Sequence, residues 1–129
     1  MKREQKLLLC VDDDRVALSG WCLYLQSHGY KVVSSPSGEE GLQVFATQPV
    51  DAVILDYRMP EVDGRSITAL MKRVKPEIPI LLFTGASEVP AAMCEHIQAY
   101  MEKGCPPRNL LLRVDQMLGL ESSASGNAA

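Results

Sequence analysis

Apolar residues in this chain take two alternating forms, compact runs of four or five and stripes spaced three or four positions apart. A run bounded by polar and turn residues reads as a buried strand, and a stripe reads as one face of a helix. The first run, residues 6–11, stops at Asp12-Asp13-Asp14. From Asp14 the spacing of Leu18, Cys22 and Leu25 predicts a helix, which His28-Gly29 ends. Residues 31–35 are less uniformly apolar and predict a second strand near a sheet edge. Ser37 with Glu40 three positions on forms a capping box and opens a helix that turns Leu42 and Phe45 inward. The third run, residues 52–55, stops at Asp56, and Met59-Pro60 and Asp63-Gly64 mark a loop. Ile67, Leu70, Met71 and Val74 then give a helical stripe closed before Pro76.

Residues 80–83 predict a fourth strand, which ends at Thr84-Gly85-Ala86-Ser87. A short helix over 90–96 is expected next, with proline in its first turn. Residues 98–102 predict a fifth strand ending at Lys103-Gly104. A last helix over 107–118 carries Leu110, Leu111, Val114 and Leu118 inward, and Gly119 stops it. Residues 120–129 are small, polar and aperiodic, a tail expected to be disordered. The organisation is therefore one domain over 1–119 followed by a 120–129 tail.

Strands alternating with helices indicate an α/β fold, a parallel sheet covered by helices on both faces. Right-handed crossovers leave few topologies, and the expectation is a flavodoxin-like doubly wound sheet of five strands in the order 2-1-3-4-5. In that order strands 1 and 3 are neighbours at the switch point, where the ligand crevice opens. Asp12 and Asp13 close strand 1 and Asp56 closes strand 3, so three carboxylates converge there.

Composition changes this picture little. With 47% apolar and 22% charged residues the chain is an ordinary globular one. A net charge of −3 supplies no broad basic field, so direct nucleic-acid binding is not expected. The apolar runs fall far short of the ~20 residues a membrane span needs. The charged opening and its short apolar run do not lead to a small-residue cleavage site, so the expected location is the cytoplasm. Cys10, Cys22, Cys94 and Cys105 have no CxxC spacing and read as reduced thiols, not a disulfide framework or zinc site.

The converging carboxylates are the chemically telling feature. Read alone, Asp12-Asp13-Asp14 is a solvated turn or a helix cap, and Asp56 a strand cap. Together they repel one another, and a bound cation offsets that repulsion. The ligand atoms are all hard oxygens, which favours Mg²⁺, with Mn²⁺ as the alternative, over zinc. Thr84 adds a hydroxyl and Lys103 an ammonium at the edge of the same crevice. A hard cation, a lysine and a hydroxyl around one carboxylate suit phosphoryl transfer onto that carboxylate.

Four stretches carry a resemblance: Leu7-Leu8-Leu9-Cys10-Val11-Asp12-Asp13-Asp14, Val53-Ile54-Leu55-Asp56-Tyr57-Arg58-Met59-Pro60-Glu61-Val62-Asp63-Gly64, Leu81-Leu82-Phe83-Thr84-Gly85, and Tyr100-Met101-Glu102-Lys103. In this order and at these strand ends, the chain resembles the receiver domains of two-component response regulators, including the chemotaxis-regulator type, over residues 5–119. The resemblance implies that Asp56 is the phosphoacceptor. It also implies that Asp13, Asp56 and the backbone carbonyl of Arg58 ligate Mg²⁺, with Asp12 acting through water. Thr84 and Lys103 would hold phosphoryl oxygens, and Thr84 with Tyr100 would form the switch.

The implied partners are a sensor histidine kinase or phosphotransfer protein, and a downstream protein at the face made by the fourth helix, fifth strand and fifth helix. The implied state is a monomer or weak homodimer that catalyses only its own phosphorylation and dephosphorylation. Three departures from the family stand out. Gly104 replaces the usual proline, which removes the main physical cause of a cis peptide there. The stretch from Thr84 to Lys103 is shorter by about one helical turn, which makes the fourth helix short. Arg58 and Ala86 line the mouth of the site. A hydrolase of the aspartyl-phosphate type is the rival reading, but it needs an acid at position 58, where arginine cannot serve. A phosphorylation-independent pseudo-receiver is the other rival.

Overall fold

The computed structural model describes residues 2–56, 64–84 and 97–120. Five parallel strands, β1 (Leu7–Val11), β2 (Lys31–Ser35), β3 (Ala52–Leu55), β4 (Ile80–Thr84) and β5 (Ala99–Glu102), lie in the order β2-β1-β3-β4-β5. The helices are α1 (Arg15–Ser27), α2 (Gly38–Thr47), α3 (Gly64–Val74) and α4 (Pro107–Met117), with a 3₁₀ turn at Arg3–Gln5 before β1. The short helix expected over 90–96 lies outside the described residues, so α4 is the helix expected at 107–118. No helix among the described residues is long and apolar enough to cross a membrane.

The uniformly apolar runs are explained by two cores, one on each face of the sheet. Leu8 and Cys10 of β1, Ile54 of β3, and Leu81 and Phe83 of β4 pack with residues of α1 and α4. Their neighbours Leu9, Val11, Val53, Leu55, Ile80 and Leu82 pack on the opposite face with Phe45 of α2 and Ile67 and Met71 of α3. Alternate side chains of a strand point to opposite faces, so a strand buried on both must be apolar at every position. β2 is the edge strand that its mixed sequence implied.

Helix ends follow their sequence signals. The Asp14 carboxylate accepts the Val16 and Ala17 N–H groups, and the Ser37 hydroxyl accepts the Glu40 N–H. Gly29 and Gly119 take positive φ, 109° and 72°. Each allows the next residue to bond back into the helix, Tyr30 N to Leu25 O and Leu120 N to Asp115 O.

Two expectations need correction. Leu70 and Val74 were expected on the inner face of α3, but both are exposed; Ile67, Thr68 and Met71 are buried instead. At 100° per residue the buried arc centres on Met71, and Leu70 and Val74 fall on its flank. Leu120 was placed in the disordered tail, but it is buried and packs in the α1–α4 core. It is the apolar residue that follows a helix-ending glycine, so the ordered chain runs at least one residue past 119. Residues 121–129 lie outside the described residues.

One close approach carries a prediction. A Cβ on Gly41 of α2 would lie 2.8 Å from Cγ2 of Val11 in β1, directly beneath the strand end that bears Asp12. Gly41→Ala should therefore lower stability by about 1–3 kcal/mol, although alanine is the better helix former. Urea unfolding measures it, and an unchanged or raised midpoint would show that Val11 moves aside freely.

Candidate functional site

The register of the sheet assembles the crevice. Val11 stands opposite Leu55, and one residue further on the Asp56 N–H donates to Val11 O at 2.9 Å. The Asp12 N–H donates to Ser35 O of β2 at 3.2 Å. Both backbones are held at the carboxyl end of the sheet, and both side chains emerge together. One oxygen each from Asp12, Asp13 and Asp56 lies within 4.8 Å of the others; Asp12 and Asp56 are buried and Asp13 is exposed. Asp12 Oδ1 also accepts the Asp14 N–H at 3.0 Å, which fixes the turn between β1 and α1.

Lys103 follows β5 directly, and the turn after it is closed by Cys105 N to Glu102 O at 3.1 Å. Its ammonium reaches Asp12 Oδ2 at 2.5 Å and Asp56 Oδ2 at 3.4 Å. Burial alone would depress its pKa, but the hydrogen bond and charge of Asp12, helped by Asp56, outweigh burial and raise it above the usual lysine range. The lysine is thus firmly cationic. The peptide bond from Lys103 to Gly104 is trans, as are all those among the described residues.

Thr84 ends β4 opposite Glu102 of β5, and its side chain lies outside the described residues. Arg58 and its carbonyl lie outside them as well, and so does Ala86. Tyr100 stands on β5 opposite Leu82 and is half exposed. It borders a surface cavity of about 410 Å³ with Glu102 of the same strand and Asn109, Leu112 and Arg113 of α4. The structure therefore brings Asp12, Asp13, Asp56 and Lys103 together and sets Tyr100 apart on the outer edge of the sheet.

Sequence reasoning placed Lys103 at the crevice but did not foresee that it sits closer to Asp12 than to Asp56. The only signal was that Asp12, like Lys103, ends a strand. It also missed Asp115, a buried acid on α4 that accepts from the Arg3 guanidinium at 3.0 and 2.6 Å and from the Tyr30 hydroxyl at 2.6 Å. That cluster lies apart from the crevice and is structural.

A family model described as the response regulator receiver domain matches residues 8–115. This chain belongs to that family. Among curated relatives, the receiver domain is 36% identical over 127 residues to the transcriptional regulatory protein GlrR of Escherichia coli (strain K12), covering 96% of this chain and 28% of that protein. It is 33% identical over 114 residues to the response regulator SaeR of Staphylococcus aureus (strain USA300), covering 86% of this chain and 50% of that one. The chain thus spans only about a quarter to a half of the length of these relatives.

Among solved structures, the receiver domain resembles the response regulator TrrA of Thermotoga maritima, crystallised in complex with Mg²⁺-BeF. The TM-score is 0.83 at 28% identity, covering 88% of this chain and 99% of that one. A putative response regulator from Chloroflexus aurantiacus J-10-fl gives a TM-score of 0.82 at 32% identity, over 88% of this chain and 98% of that one. The domain is a receiver of two-component signalling with the flavodoxin-like topology its sequence implied.

Proposed function

We propose that this receiver domain accepts a phosphoryl group on Asp56 from the phosphohistidine of a sensor histidine kinase or phosphotransfer protein, and that the modification switches its binding of a downstream protein. The observation that carries the reading is the meeting of Asp12, Asp13, Asp56 and Lys103 in one crevice. An Asp56 carboxylate oxygen attacks phosphorus, the P–N bond breaks, and its electron pair leaves with the imidazole nitrogen. Lys103, already 3.4 Å from Asp56, pairs with a phosphoryl oxygen as negative charge accumulates. Asp12 holds that lysine in place beforehand.

The donor set suits a hard cation: oxygens of Asp12, Asp13 and Asp56 lie within 4.8 Å of one another, and Mg²⁺ takes oxygen ligands while keeping several waters. Asp13 and Asp56 would hold it directly, with the carbonyl of Arg58, and Asp12 would hold it through water. It would supply charge neutralisation for the incoming phosphoryl oxygens. Exposure of the protein to a small phosphodonor, with and without Mg²⁺, followed by intact-mass measurement, tests the proposal. One phosphoryl group should appear only with the metal. A protein that never labels favours a pseudo-receiver.

Asp13 is the exposed member of the trio, so Asp13→Ala should leave the fold intact and remove a direct ligand. Wild type should gain melting temperature on addition of Mg²⁺ by mass action, and the variant should gain little or none. An undiminished gain in the variant would show that the ligand set is wrong.

The outgoing signal is assigned to the side of the sheet where Tyr100, β5 and α4 lie. Thr84 ends the strand next to β5, so a hydroxyl drawn toward the phosphate acts on the adjacent strand, and Tyr100 responds by changing its packing. Hydrogen exchange with and without a phosphate mimic should show changes in residues 97–118. Changes confined to α1 and β2 would refute this route.

A further inference from the structure

Cys10 of β1 and Cys22 of α1 meet in the core between the sheet and the helices α1 and α4. Both thiols are free, and they hydrogen-bond to each other, Cys10 donating to the Cys22 sulfur. Their surroundings differ. Cys10 is fully buried, whereas Cys22 keeps 6% of its surface and borders a cavity of about 350 Å³ between α1 and the edge strand β2. Arg15, Ser19 and Ser34 give that cavity polar walls, so it admits water and polar molecules of similar size. The bond from Cys10 outweighs burial and draws the Cys22 pKa below the ordinary thiol value, which favours the nucleophilic thiolate on the side that a solute can reach.

We propose that Cys10 and Cys22 form a reversible oxidation site, in which a peroxide oxidises Cys22 from the cavity and Cys10 then closes a disulfide between β1 and α1. Burial alone accounts for one core cysteine, but it does not call for two thiols bonded to each other with one at a cavity wall. In the first step the Cys22 sulfur attacks a peroxide oxygen and the O–O bond breaks. Cys22 becomes a sulfenic acid, and the departing oxygen leaves as water with the thiol proton. The Cys10 sulfur then attacks the Cys22 sulfur, the S–O bond breaks, and the hydroxyl leaves as a second water with the Cys10 proton. The two thiols together lose two electrons and the peroxide gains them. The sulfurs already touch, so they need close only to the ~2.05 Å of the bond. The loop so closed, residues 10–22, contains Asp12, Asp13 and Asp14, and oxidation would tether the turn that carries those carboxylates. The site stands independently of the phosphoryl chemistry assigned to Asp56.

Hydrogen peroxide is the probe, added to the folded, fully reduced chain. Trypsin cuts after Lys6, Arg15 and Lys31, so Cys10 and Cys22 fall in separate peptides, 7–15 and 16–31, and Cys94 and Cys105 fall in two others. After an acid quench and alkylation of the remaining thiols, mass spectrometry should find 7–15 joined to 16–31, two hydrogens lighter than the sum of the reduced peptides. Dithiothreitol should release the pair.

Cys10→Ala removes the second thiol, and dimedone should then capture Cys22 as its sulfenic acid. Cys22→Ser should give neither product and leave Cys10 reduced. The wild-type result decides the matter even if a variant folds poorly. The proposal is overturned if the folded wild type keeps both thiols alkylatable in excess peroxide, or if Cys22 passes to the sulfinic acid with no linked peptide. It is equally overturned if either cysteine pairs instead with Cys94, Cys105 or a second chain, or if dimedone marks Cys10 and not Cys22.

Discussion

Asp56→Asn should take up no phosphoryl group under conditions in which the wild type gains one. The amide has the shape of the carboxylate but no anionic oxygen to attack phosphorus, so the expected change is all-or-none. The substitution is also mild for the fold. Asp56 sits beside two other carboxylates, and removing its charge relieves repulsion while giving up a 3.4 Å contact with Lys103. Lys103 keeps its closer partner, Asp12. A melting curve of the variant beside that of the wild type separates lost chemistry from lost structure. Equal labelling of variant and wild type would move the acceptor to another residue, and Asp13, exposed in the same cluster, would be the first to examine.

How much of this was legible in the sequence depends on how far apart the cooperating residues lie. The strands were legible because burial on both faces forces every position from Leu8 to Val11, and from Ala52 to Leu55, to be apolar. The crevice was legible because topology alone puts the ends of β1 and β3 side by side. The direction in which α3 faces was not. Leu70 and Val74 share the helical spacing of Ile67 and Met71, and only docking against the sheet decides which edge of the stripe is buried. The ordered place of Leu120 was hidden for a similar reason, since its apolar contact exists only once Gly119 has turned the chain back. Lys103 was legible as a cation at the site, but no local pattern shows that it lies closer to Asp12 than to Asp56. Arg3, Tyr30 and Asp115 gave no local signal at all: Asp115 reads as an ordinary helix-surface acid, and its partners are 112 and 85 positions away.

That cluster carries the largest stability effect expected in the molecule. Asp115 is buried on α4 and holds the Arg3 guanidinium through two oxygens, joining the 3₁₀ turn to the last helix. Its Oδ1 also accepts the hydroxyl of buried Tyr30, at the entry to β2. The Asp115 hydrogen bond raises the pKa of Arg3, so the guanidinium is held cationic. Asp115→Ala would leave a mostly covered guanidinium and a buried hydroxyl without their acceptor. Breaking such a pair from one side costs about 3 kcal/mol, a drop of roughly 10 °C in melting temperature for a domain of this size. Tyr30→Phe should cost less, about 1 kcal/mol, because it removes a donor and strands none. The two losses should not add, since both remove the same bond.

Alkaline pH gives a second readout. Burial first, and then the bond to Asp115, raise the Tyr30 pKa far above 10. The stability it contributes is fully present below the ordinary tyrosine value and declines as pH rises above it, because only the unfolded chain can then release the proton. Wild type should therefore lose stability above about pH 10 more steeply than Tyr30→Phe does. Parallel alkaline limbs, or an Asp115→Ala variant melting within a degree or two of wild type, would mean that the cluster contributes little to the fold.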